Sequence, residues 1–70
     1  MPKYPDIKVE IELYGPDGNA FAILGKVRSA LRSGGATPNE LEEFTKKSMS
    51  SDYDNVLETC KEWVNFNPTN

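Results

Sequence analysis

Asp6-Ile7-Lys8-Val9-Glu10-Ile11-Glu12-Leu13-Tyr14 alternates without a break. Ile7, Val9, Ile11 and Leu13 share one face, while Lys8, Glu10, Glu12 and Tyr14 share the other. A period of two over this length, rich in β-branched side chains, predicts a strand with one buried and one wet face. Gly15-Pro16-Asp17-Gly18 stops the run with turn chemistry, since proline pre-sets φ and glycine tolerates positive φ. Asn19 follows as an N-cap for a first helix over Ala20 to Ser33. Ala20, Ile23, Leu24, Val27, Ala30 and Leu31 give that helix its apolar stripe, and Gly34-Gly35 ends it with a residue able to turn left-handed.

Two further helices are legible downstream. In Thr37-Pro38-Asn39-Glu40, threonine fits the N-cap, proline the first helical position and glutamate the third, which together make a capping box. This second helix runs to about Lys47 and buries Leu41 and Phe44. Ser51 is the expected cap of a third, whose stripe takes in Tyr53, Val56, Leu57 and Cys60, with Trp63 and Val64 at its end. Residues 63–66 read equally as a last helical turn or a short second strand, and Pro68 terminates either.

The result is an α+β domain spanning residues 1–70: one N-terminal β-strand followed by three short α-helices, with a C-terminal strand left open. Residues 1–5 and 67–70 fall outside the periodic segments and read as loose ends. A lone strand leaves backbone donors and acceptors unpaired along both edges. Either residues 63–66 cover one edge, or strands from two copies pair, or both. A chain of 70 residues has a thin core, and Cys60, its only cysteine, cannot form an internal disulfide. Homo-oligomer formation, with a dimer favoured, is the expectation that follows.

Composition narrows the function classes. Charged residues make up 27% and hydrophobic ones 37%, the balance of a folded chain. No apolar run approaches a membrane span, and Met1-Pro2-Lys3-Tyr4-Pro5 lacks the apolar core of a signal peptide. In Asn67-Pro68-Thr69 the middle proline blocks glycosylation. With one reduced thiol, the cytoplasm is the expected compartment. The net charge of −3 conceals an asymmetry. Residues 1–33 carry five Lys/Arg against four Asp/Glu, whereas residues 34–70 carry three against seven. Broad affinity for nucleic acid is not expected, because that needs a basic field over much of the surface.

The residue types argue against catalysis. Without histidine the commonest general base near neutral pH is missing, and Ser-His-Asp or Cys-His sites cannot be built. A structural zinc site lacks its ligands, and no cofactor motif is present. Cys60 reads as a buried structural thiol, and Glu10 and Glu12 as residues of the wet face of the strand. The turn is neither a P-loop nor a dinucleotide fingerprint, although a glycine-containing turn before a helix can offer N–H groups to an anion.

A second stripe on the first helix, Phe21, Gly25, Arg28 and Arg32, lies away from the apolar one. A phenylalanine off the core face and a glycine inside a helix both call for a reason. The plainer reading is packing, with Phe21 flanking the core and Gly25 admitting a neighbouring helix. The sharper reading is a ligand or partner surface formed by Gly18, Asn19, Phe21, Gly25, Arg28 and Arg32, the ring for stacking and the arginines for phosphate or carboxylate.

The segment Gly15-Pro16-Asp17-Gly18-Asn19-Ala20-Phe21-Ala22-Ile23-Leu24-Gly25, with Ser51-Asp52-Tyr53-Asp54-Asn55-Val56-Leu57 and Glu62-Trp63-Val64, resembles small uncharacterised proteins of bacteriophages and prophages. The resemblance covers most of residues 6–66. It implies expression in a bacterial host cytoplasm, and a binding role such as holding a nucleotide or cyclic nucleotide signal to counter host defence. The alternative is a protein–protein inhibitor or adaptor of a host factor, working through the acidic helices or the strand edge.

Overall fold

The computed structural model describes residues 2–12 and 19–69, the side chain of Thr69 excepted. Leu13 and Tyr14 of the expected strand, the turn at 15–18 and the candidate residue Gly18 lie outside the described residues. The architecture is α+β: β1 (Tyr4–Glu12), α1 (Ala20–Ser33), α2 (Pro38–Ser48), α3 (Tyr53–Trp63) and β2 (Val64–Thr69). The two strands pair in parallel, with the three helices as the crossover that parallel strands require. No helix among the described residues is long and apolar enough to cross a membrane.

The ambiguity at residues 63–66 resolves into both alternatives in succession. The α3 helix continues through Trp63, and Val64 turns extended at φ −136°, ψ 168°, so strand follows helix with no loop between. Pro68 does not end this strand as expected; it sits opposite Ile11 inside β2, which runs on to Thr69. A two-stranded sheet has only edge strands, where a residue without an N–H is tolerated. Tyr4, Pro5 and Asn67 to Thr69, which the sequence alone leaves at loose ends, all lie in strands.

The ladder is irregular at its start. Tyr4 pairs with Val64 but Lys8 pairs with Asn65, so Pro5, Asp6 and Ile7 form an excursion with no opposite number. Beyond it the register is regular, and Val9 and Ile11 are buried while Lys8, Glu10 and Glu12 are exposed, as the alternation requires. Ile7 leans on the end of α1. A Cβ on Gly34 would collide with its Cδ1 and lie 2.9 Å from its Cγ1. Gly34 is thus the smooth spot against which the excursion packs, while Gly35, at φ +100°, supplies the left-handed turn after α1.

Ile23, Leu24, Val27 and Leu31 of α1 meet Phe44 of α2, Val56, Cys60 and Trp63 of α3, and Val9, Ile11, Val64 and Phe66 of the sheet in one core. Trp63 is its aromatic hub: Phe44 meets it edge-on at 5.7 Å between ring centres, and Tyr4 stacks at 6.5 Å. Lys3 places its Nζ 4.5 Å from the centre of the Trp63 ring, and its backbone N–H donates to the Glu62 carbonyl at 2.9 Å. Lys3 is therefore fastened to the junction of α3 and β2.

The caps match the expectations with one correction. Thr37 Oγ1 accepts from the Glu40 N–H at 3.1 Å, and Glu40 Oε1 accepts from the Thr37 N–H at 3.0 Å, closing the capping box. Asp52, not Ser51, caps α3, accepting from the Asn55 N–H at 3.0 Å. An aspartate in extended geometry one residue later does the same work. Asn55 Nδ2 donates back to the carbonyls of Lys47 and Ser48, satisfying acceptors at the open end of α2.

Candidate functional site

The surface in question is built on α1. Asn19 is extended at φ −80°, ψ 157°, and its side-chain oxygen accepts from the Ala22 N–H at 2.8 Å. This bond starts the helix at Ala20 and fixes the rotation of everything after it. With Ile23, Leu24, Val27 and Leu31 turned into the core, Phe21, Gly25, Arg28 and Arg32 are left exposed along one line.

The packing reading of this stripe fails at both residues that prompted it. Phe21 is 76% exposed and does not flank the core. A Cβ on Gly25 would meet nothing within 4 Å, so no neighbouring helix approaches there. Tyr53, expected in the core, is also a surface residue at 40% exposure. It is the first residue of α3, and burial in that helix begins only at Val56.

The stripe divides between two concavities. The first, of about 190 Å³, lies between the start of α1 and the start of α3, lined by Ala20, Phe21, Leu24, Met49, Ser51, Asp52, Tyr53 and Val56. Its rim holds all three exposed large hydrophobic side chains of the described residues: Phe21, Met49 at 54% and Tyr53. The second, of about 240 Å³, lies between α1 and α2 and is lined by Gly25, Arg28, Ser29, Arg32 and Leu41. The structure thus brings Gly25, Arg28 and Arg32 together, assigns Asn19 to the cap, and sets Phe21 in a separate hollow.

The second concavity is electrostatically distinctive. Glu40 and Glu43 lie near Lys3, Glu42 pairs with Lys46, Glu58 with Lys61 and Glu62 with Lys47. Arg28 and Arg32 take part in none of these pairs, and α1 contains no acidic residue. Two guanidinium groups one turn apart, on a helix without carboxylates, face an open hollow. Gly25, without a side chain, leaves room beside them.

The reactive groups elsewhere are quiet. Cys60 is fully buried, and burial pushes its thiol up to about 12, far from the thiolate a nucleophile needs. Glu40 is held below the usual carboxylate range, first by the Thr37 backbone N–H and next by the Tyr4 hydroxyl, which donates to its Oε2 at 2.7 Å. That bond in turn raises the Tyr4 hydroxyl above its ordinary value. These groups fasten β1 to α2.

Sequence reasoning missed Ser29 and Leu41 as neighbours of the arginines, and Met49 and Tyr53 as neighbours of Phe21. For Leu41 no sequence signal could have served, because its position beside α1 depends on how the helices pack. Compared with protein-family models, curated proteins and solved structures, the chain matches none of them.

Proposed function

We propose that the protein is a non-catalytic binding protein that holds an anionic small molecule, of the phosphate- or carboxylate-bearing class to which nucleotides belong, at the hollow between α1 and α2. One observation carries the reading: both arginines of the chain stand exposed, a turn apart and without an acidic partner among the described residues, at the mouth of a concavity. Guanidinium groups match the paired oxygens of phosphate and carboxylate, and binding supplies the partner that folding left out. The hollow is smaller than the roughly 300–1,000 Å³ of enclosed ligand sites. The anionic end of a ligand therefore sits there while the remainder lies across the surface beside Gly25.

The adaptor reading has less support. Of its two forms, through the acidic helices or the strand edge, the first is weakened because most carboxylates of α2 and the later part of α3 are engaged with lysines. A thermal-shift screen with inorganic phosphate, mononucleotides and cyclic dinucleotides tests the proposal, since a ligand that binds the folded state raises Tm. Loss of the shift in Arg28→Ala and Arg32→Ala, with about 1.5–3 kcal/mol less binding for each, is the expected result. No response to any of these anions, or a response that survives both substitutions, refutes it.

A further inference from the structure

We infer that the apolar hollow between the starts of α1 and α3 is the contact face between two copies of this chain, related by a two-fold axis, with Phe21 of each copy seated in the hollow of the other. The inference is independent of the anion site, which lies further along α1.

The patch carries a knob and a hole side by side. Phe21 projects from the first turn of α1 with 76% of its surface exposed. Next to it is a hollow of about 190 Å³, walled by Leu24, Val56 and Met49. A space of this size has room for one large side chain. An isologous interface needs one patch complementary to itself, so that residue i meets j and j meets i. A projecting ring beside a ring-sized hollow satisfies that condition, and the hollow of the same copy cannot receive its own ring while Phe21 stays turned to solvent.

Area and composition point the same way. Large apolar side chains bury about 150–250 Å² each. At their observed exposures, Phe21, Met49 and Tyr53 together offer on the order of 300 Å² of surface around one hollow, the size of the largest apolar patch on many monomers and frequently a functional one. Ser51 and Asp52 supply a polar rim around this centre, the usual anatomy of a contact. A standard interface takes about 800 Å² from each partner, so Phe21, Met49 and Tyr53 form the centre of the contact and the polar surface around them supplies the rest. The outer face of the sheet, where Lys8, Glu10, Glu12 and Asn67 are polar and exposed, carries no such apolar patch among the described residues. A 70-residue domain with a thin core also gains most from such a partner.

Sedimentation velocity over a micromolar concentration range tests the inference. The wild type is expected at the mass of two chains, with a Tm that rises with concentration. Phe21→Asp and Met49→Lys should each weaken the dimer at least about 100-fold, because each change occurs twice in a two-fold contact. Both variants should keep the far-ultraviolet circular dichroism of the wild type, since both side chains are exposed. Glu12→Lys, on the outer face of the sheet, should remain dimeric. A wild type that sediments as a monomer throughout overturns the inference, and so does a dimer that persists in folded Phe21→Asp. The anion response of Phe21→Asp separates the two readings: its retention in a monomeric variant leaves the arginine site standing on its own.

Discussion

Replacing Gly34 by alanine probes the contact that seats β1 on α1. At φ −85° the backbone of Gly34 suits any residue, so the cost of a side chain there is purely steric. The added methyl would collide with Ile7 Cδ1, stand 2.9 Å from Ile7 Cγ1 and 3.3 Å from the Ala30 carbonyl oxygen. Overpacking of this kind costs about 1–3 kcal/mol. Stiffening of the unfolded chain returns about 0.4–1 kcal/mol. The net loss should be about 0.5–2 kcal/mol, and a domain this size loses about 4–8 °C in Tm for each kcal/mol. Ile7→Val alone should cost about 0.5–1.5 kcal/mol through the lost methylene. On the Gly34→Ala background the same change removes the colliding atom, so it should cost close to nothing. Urea unfolding of the four proteins, followed through the buried Trp63, gives the coupling directly. Strict additivity of the two changes, or a Gly34→Ala variant as stable as wild type, would refute the contact.

Three other outcomes follow from buried or bonded groups. Ser48 Oγ is buried without a hydrogen-bond partner, and an unsatisfied hydroxyl costs about 1–3 kcal/mol; Ser48→Ala should raise stability by about 1 kcal/mol, and a loss in urea unfolding would show that the hydroxyl is in fact bonded. Glu40 is depressed in the folded state, so its contribution is full above the ordinary carboxylate range and disappears as pH falls through the folded value. The stability gap between wild type and Glu40→Gln should therefore be larger at about pH 7 than at about pH 3, and an equal gap would contradict the bonding to Thr37 and Tyr4. Cys60, buried and shifted up to about 12, should react with iodoacetamide only as the chain unfolds, as mass spectrometry along a urea series would show; rapid labelling of the native protein would refute its place in the core.

The local elements were legible because their signals are local. Alternation over residues 6–14, the Asn19 cap, the four-residue box at Thr37 and the glycine pair at 34–35 each act within a few residues, so the α+β order and the bounds of α1 follow from sequence periodicity and capping. The end of the chain did not yield, because Trp63 and Val64 suit a helix and a strand equally. Only pairing of β2 with a strand more than fifty residues earlier breaks that tie, and it admits Pro68 because both strands are edges.

The candidate surface was half legible. Periodicity placed Phe21, Gly25, Arg28 and Arg32 on one line of α1, since 3.6 residues per turn is a property of the chain itself. Whether that line packs or faces water depends on which neighbours arrive. Tertiary structure left the line open because α2 and α3, which flank it, leave nothing within 4 Å of a Cβ at Gly25. The same packing divided the line, giving Leu41 to the arginines and Met49 and Tyr53 to the phenylalanine. Sequence determined the elements and the faces they possess; the docking of helices fixed which face was spent on the core, because burial is a relation between segments and not a property of any one of them.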